Sequence, residues 1–368
     1  VKNTGIQYAG KEVVQVYYEA PQGKLGKPAR ALVVFAKTDV LQPGEAQVLN
    51  LNFPVSSMAS YDDCGSTGHK SCYVLEPGLY KIYVGSDVRT AKQVFLQEQE
   101  GIEISNCMVT ETLQEALAPT EKFQRLCPGS RQEDGTYAPK AEEVPTQTIS
   151  LAERIQQRLP RTMEIKGNQG ISFQDVRDGK ANLEDFVAQL SERELAILVR
   201  GEGMCNPLVT PGTASAFGGT SPSLYGYGIP VACTADGPSG IRMDSGLKAT
   251  QMPIGTMLAS SWNLELVEEL YEWEGQELLR NEIDTLLGPG INLHRNPLNG
   301  RNFEYFSEDP YLTGKFAAAV VKGIKKSGAD ATVKHFACNN QELGRSVADS
   351  VVSERAAREL YLKGFEIA

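Results

Sequence analysis

From about residue 183 the chain repeats one local pattern: a short apolar strand, a cluster of glycine and polar residues, then a helix. Ile229-Pro230-Val231-Ala232-Cys233-Thr234 runs into Asp236-Gly237-Pro238, and Thr285-Leu286-Leu287 runs into Gly288-Pro289-Gly290. Ala331-Thr332-Val333 runs into Lys334-His335-Phe336, and Met257-Leu258-Ala259 reads as a further strand. Asn263 to Asn281 is predicted helical, with Leu264, Val267, Leu270 and Leu278 on one face. Tyr311 to Lys326 is a second long helix. Asn182 and Ser353 stand where side-chain caps start the helices at Leu183 and before Ala368. Repeated strand–helix units imply a parallel sheet. The polar clusters fall at strand carboxyl ends, where (β/α)8 barrels place their active sites. Only about four of the eight units of such a barrel fit. The expectation for 183–368 is therefore a partial TIM barrel, completed by chain beyond Ala368 or by a partner segment.

Residues 1–105 read differently. Val13-Val14-Gln15-Val16-Tyr17-Tyr18 is rich in β-branched and aromatic residues, and Gly78 to Ser86 alternates apolar and polar. Pro43-Gly44 and Pro77-Gly78 suit tight turns between strands. A small β-sandwich is predicted, and its opening, Val1-Lys2-Asn3-Thr4-Gly5, reads as the interior of a β-domain with a truncated start. Residues 106–182 are irregular and carry Pro119, Pro128, Pro139 and Pro145. They read as a linker between two domains with one short helix near Leu151 to Leu159.

Bulk properties narrow the function. The chain of 368 residues is 41% apolar and 22% charged, ordinary for a globular protein of two or more domains. A net charge of −10 disfavours nucleic acid or an anionic membrane as partner. No apolar run reaches membrane-spanning length, and no signal peptide is visible. Cys64, Cys72, Cys107, Cys127, Cys205, Cys233 and Cys338 are odd in number and scattered, which suits reduced thiols in a cytoplasmic protein. In an exported protein Cys64 and Cys72, flanking a glycine-rich loop, would be the pair to test. His69, His294 and His335 form no metal-binding pattern, and no phosphate- or dinucleotide-binding glycine loop occurs, so neither metal nor cofactor is expected.

Chemistry concentrates in three segments. Asp236 can accept hydrogen bonds from two vicinal hydroxyls or cap the turn that Gly237-Pro238 favours, and its segment alone supports either reading. The planar fork of Arg301 can hold a hydroxyl pair, or it can pair with Glu304 merely to organise a loop, as Arg295 would with Glu308 or Asp309. Lys334 and His335 are adjacent, and on a regular strand they would point to opposite faces. Both serve one pocket only if the backbone is distorted there. Together these groups suit a neutral ligand with many hydroxyls.

Four segments resemble the family 3 glycoside hydrolases: Ala235 to Arg242, Leu287 to Pro297, Gly300 to Pro310 and Lys334 to Glu342. Val1 to Ser86 resembles that family's fibronectin type III-like domain, through Asn-Thr-Gly, Gly-Lys-Glu-Val-Val-Gln and Glu-Pro-Gly-x-Tyr. The β-domain precedes the barrel here, as in the reversed-order β-glucosidases of gut bacteria. The resemblance implies that Asp236, Arg301, Lys334 and His335 bind the non-reducing-end sugar, supported by Arg242 and Glu304. It also implies a non-proline cis peptide at Lys334–His335. The implied activity is retaining hydrolysis of terminal β-D-glucose by two carboxylates about 5–5.5 Å apart. The family's nucleophilic Asp is expected after Ala368 and its acid/base Glu before Val1, so no catalytic carboxylate is assigned within the chain. These residues alone are expected to bind weakly without turnover. Lys334-His335-Phe336 leads into Ala-Cys-Asn-Asn rather than the Pro-Gly-His-Gly of the family's N-acetylglucosaminidases, which points to a glucosidase or a xylosidase. A sugar-binding scaffold that kept the pocket and lost the chemistry is the alternative from another class. The expected partners are β-linked glucosides or oligosaccharides, with a homo-oligomer open for the full-length protein.

Overall fold

The computed structural model describes residues 1–368 except Gln97 and Cys205. Eight strands form the first unit: β1 (Val13–Glu19), β2 (Ala31–Lys37), β3 (Ser60–Asp62), β4 (Cys72–Leu75), β5 (Gly78–Gly85), β6 (Lys92–Val94), β7 (Ile102–Ile104) and β8 (Met108–Thr112). One antiparallel sheet has the order β2-β1-β5-β6, with β7 also pairing with β5. The other is β3-β4-β8. Val16, Val33, Met58, Leu75, Tyr80 and Ile82 fill the space between them. The predicted sandwich is therefore present. Alternation along β5 puts Tyr80 and Ile82 inside.

The stretch 106–182, read as a linker with one short helix, also contains strands and a second short helix. β8 joins the second sheet, and β9 (Gln124–Arg131) and β10 (Tyr137–Glu143) form an antiparallel hairpin. α1 (Leu151–Gln157) is the predicted short helix, and α2 (Phe173–Arg177) was not anticipated. The hairpin escaped the sequence reading because Pro128 and Pro139 face each other across it, and proline normally argues against a strand. Ion pairs fasten it: Arg125 reaches Asp63 and Glu142, each at 2.6 Å.

The second unit contains β11 (Ser215–Gly218), β12 (Val231–Asp236), β13 (Thr285–Leu287) and β14 (Asp330–Ala331), hydrogen-bonded in that order. β12, β13 and β14 are parallel, as predicted, but β11 runs antiparallel to β12. The helices are α3 (Leu183–Ala188), α4 (Glu192–Arg200), α5 (Pro222–Gly226), α6 (Gly255–Ser260), α7 (Leu264–Arg280) and α8 (Pro310–Ser327). Met257-Leu258-Ala259, read as a strand, lies inside α6. Its apolar run is too short to distinguish strand from helix by pattern. Asn182, Asn263 and Asp309 cap α3, α7 and α8 through side-chain acceptors. Ser353 caps a final helical segment that passes through a π-helical turn at Ala357–Tyr361. Among the described residues no helix is long and apolar enough to cross a membrane.

The two units share a core. Phe35 of β2 packs edge-on against Trp262 and Tyr311 and stacks on Phe316 of α8, with ring centroids 5.1, 6.3 and 6.5 Å away. On the other side of the junction, Arg355 donates to the Leu25 and Gly26 carbonyls, and Glu359 accepts the Tyr61 N–H at 2.6 Å. Phe35→Ala is expected to cost about 3–5 kcal/mol, the usual range for a buried phenylalanine. A urea titration that moves by less than about 1 kcal/mol would show that the junction does not depend on this ring.

Candidate functional site

Asp236 ends β12. Gly237 follows at φ +128°, and a Cβ there would lie 1.9 Å from the Gly240 carbonyl oxygen, so only glycine permits the turn. The Asp236 carbonyl accepts the Arg242 N–H at 2.8 Å, so the main chain closes this turn. That leaves the carboxylate for Lys334, whose Nζ donates to Oδ1 at 2.5 Å. Burial pushes the carboxyl pKa up, but the hydrogen bond and charge of Lys334 outweigh it, with smaller help from the Gly237 amide and Arg242. The net result lies below the usual carboxylate range.

Lys334 continues the parallel ladder past β14 by bridging to Gly290. Its N–H donates to Pro289 and its carbonyl accepts from Ile291, at 2.9 and 2.7 Å. The Lys334–His335 peptide is cis, which is the distortion expected there, and Phe336–Ala337 is cis as well. Asn292 holds both main-chain groups of His335, accepting its N–H at 2.9 Å and donating to its carbonyl at 3.0 Å. The His335 ring lies 3.3 Å from both Tyr305 Oη and Asn292 Oδ1. Burial, then the charges of Arg301 and Lys334, pull its pKa down to about 4, so the ring is neutral at pH 7.

Arg301 sits in the loop between β13 and α8. Its Nε donates to Glu304 at 2.5 Å, and its Nη1 lies 3.4 Å from Glu342. Glu304 is almost fully buried beside Gly290, where a Cβ would come within 3.2 Å of its Oε2. The loop is shaped from behind: His294 Nε2 and Thr256 Oγ1 both contact the Asn302 and Tyr305 carbonyls at 2.9–3.1 Å.

Asp236, Arg301, Lys334 and His335 thus come together at one end of the sheet, with Glu304 directly behind Arg301. Arg242 does not join them. It pairs with Asp244, is largely exposed, and acts on Asp236 only through space. Arg295 lies over the Tyr361 ring at 5.9 Å rather than pairing with Glu308 or Asp309. Asn292, Tyr305 and Glu342 were not singled out as site residues, although all three lie in the polar strand-end segments. Only folding shows that they touch His335 and Arg301. Cys64, Cys72, Cys107, Cys127, Cys233 and Cys338 are free, and Cys205 lies outside the described residues. Among the described residues no group of three His, Cys, Asp or Glu side chains could hold a metal ion. The site offers a guanidinium, an ammonium, a neutral imidazole and carboxylates side by side. Such a set suits hydroxyl groups, each of which both donates and accepts.

Residues 215–368 match the glycosyl hydrolase family 3 N terminal domain, and residues 12–88 match the fibronectin type III-like domain. The chain belongs to glycoside hydrolase family 3. It is 50% identical over 368 residues to a β-glucosidase of Ruminococcus albus, covering 100% of this chain and 38% of that protein. It is 41% identical to β-glucosidase A of Butyrivibrio fibrisolvens, covering 100% of this chain and 45% of the relative. The crystal structure of a β-glucosidase from Paenibacillus barengoltzii superposes with a TM-score of 0.96 at 67% identity, covering 100% of this chain and 40% of that one. The chain therefore spans 38–45% of the length of these relatives.

The Asp236 carboxyl is expected to titrate below the usual range in a carbon-13 NMR experiment. Lys334→Met should raise it, because only the Gly237 amide and Arg242 then oppose burial. The stability that the pair contributes is present above the unfolded value, near pH 3.9, and is lost as pH falls through the lowered folded value. An Asp236 midpoint that does not respond to Lys334→Met would contradict the assigned cause. His335 is expected to stay neutral down to about pH 4. Its contribution is present above about pH 6.5 and lost as pH falls from there.

Proposed function

We propose that this chain forms the grip for the terminal non-reducing glucose of a retaining β-glucosidase. The reading rests on the Lys334–Asp236 pair set beside Arg301 and His335, in a chain whose relatives are β-glucosidases. Asp236 accepts hydrogen bonds from ring hydroxyls, Lys334 and Arg301 donate, and the neutral His335 can do either. Glu304 and Glu342 steady the guanidinium of Arg301.

Retaining hydrolysis needs one carboxylate free to attack and another free to deliver a proton. Asp236 is engaged by Lys334, and Glu304 is buried against Arg301. A carboxylate paired with a cation is a poor nucleophile and a poor acid, so the site as built binds sugar without reacting. The reacting carboxylates of the full enzyme are other residues, and the isolated chain turns nothing over.

Isothermal titration of the chain with glucose is expected to show millimolar binding, about −4 kcal/mol. Asp236→Asn and Lys334→Met should each weaken it about tenfold or more, which corresponds to about 1.4 kcal/mol. Failure of the unaltered chain to take up glucose, or equal affinity in the variants, would overturn the reading. An aryl β-glucoside is expected to survive unhydrolysed, and clear turnover would show that the reacting pair lies among these residues after all.

A further inference from the structure

The loop that carries Asp236 rests on one face of α7, and that face holds a carboxyl with no role in the grip described above. Tyr271, Glu274 and Glu277 recur every third residue and so line one side of the helix. Tyr271 Oη donates to the Pro238 carbonyl at 2.6 Å, and Glu277 accepts the Thr250 N–H at 3.0 and 3.2 Å. Glu274 lies between them, 2% exposed, with neither oxygen hydrogen-bonded. Ser239 Oγ, in the loop itself, is also buried without a partner. The Gly240 N–H lies near the Glu274 carboxyl but donates to the Gly237 carbonyl at 3.2 Å.

The charged groups around Glu274 offer it no counterion. On its own helix Glu277 repels it, and Tyr271 is neutral. In the loop Arg242 is turned to Asp244, and on α8 Lys326 pairs with Glu268 and Glu272. Stripping an ionised carboxylate of water with no partner is strongly unfavourable, whereas the protonated acid both donates and accepts. Burial, with Glu277 adding to it, raises the Glu274 pKa to about 8. Two orphaned polar groups, one on the residue before Gly240 and one near the Gly240 amide, call for a common explanation.

We propose that Glu274 is a positioning residue for the sugar site: as the neutral acid it is linked to Ser239 by hydrogen bonds through one enclosed water, and the link fixes the turn that presents Asp236. The effect on sugar rests on the reading of Asp236 as a sugar ligand, but the link itself does not.

Glu274→Gln keeps a donor and an acceptor in the same shape, Glu274→Leu keeps the volume and removes both, and Ser239→Ala removes the partner. In glucose titrations of the chain, the Gln variant is expected within about twofold of the unaltered protein. The Leu and Ala variants should each bind about tenfold more weakly, and the Leu/Ala double variant no worse than either. Additive losses, or no loss in the Leu variant, would overturn the pairing. The Asp236 carboxyl shift, followed by carbon-13 NMR without sugar, should move equally in the Leu and Ala variants and stay put in Gln. If the unaltered chain binds no glucose, the sugar reading fails while this shift still decides the pairing. Between about pH 6.5, above which His335 is neutral in both states, and about 8 the urea midpoint should fall as pH rises. The raised pKa gives stability that is complete at low pH and lost on the way up. The Gln variant should lack that slope, and an unaltered protein with no slope would overturn the neutral-acid assignment.

Discussion

The ion pair between Lys334 and Asp236 joins chain segments that are not neighbours in the sheet. β13 lies between β12 and the ladder that Lys334 extends, so the two backbones stand about 10 Å apart, twice the spacing of adjacent strands. A short carboxylate on one side and the longest aliphatic amine on the other can close that gap. The pair forms only if the three parallel strands hold their register and if Lys334 leaves the ladder at the level of Gly290. Its existence therefore reports on the whole end of the sheet. Because Asp236 is about one-third exposed, the pair keeps contact with solvent and can exchange partners with an incoming hydroxyl.

Around this pair the polar loops are held by main-chain bonds rather than by packing alone. Asn292 grips both sides of His335, and Asn340 donates to the Leu293 carbonyl at 2.7 Å. His294 and Thr256 fix the carbonyls under Arg301. Each amide or hydroxyl satisfies a backbone group that an irregular loop would otherwise leave bare. The result is a set of charged heads whose positions depend on buried neighbours. The same reasoning gives the Glu274 face of α7 its interest, since that helix supports the Asp236 loop at Pro238 and Thr250.

The sandwich contributes to the site at a distance. Phe35 enters the core of the second unit beside Phe316, and α8 carries Phe316 directly after the loop that holds Arg301. The final helical segment closes the other side, with Arg355, Glu354 and Glu359 bonded to main-chain groups of the first unit and of the stretch that follows it. A sandwich joined only through a flexible linker would leave both faces exposed. Here the hydrophobic core runs through the junction, so the β-domain and the partial barrel form one structural body.

Periodicity and turn chemistry determined much of this protein directly. Alternation in β5, the Asn182 and Ser353 caps, the apolar face of α7 and the glycine after Asp236 are local properties, set by backbone sterics and a few neighbouring side chains. Strand parity allows Lys334 and His335 to share one pocket only where the backbone is distorted, and the cis peptide between them is such a distortion. Tertiary structure decided the rest. The antiparallel course of β11, the helical state of Met257-Leu258-Ala259 and the hairpin built over two prolines depend on which surfaces are available to cover them. The partners of Arg242, Arg295, Tyr305 and Glu274 lie across turns or tens of residues away. Ion pairs and hydrogen bonds act over a few ångströms of space, and only the folded chain brings those atoms within range.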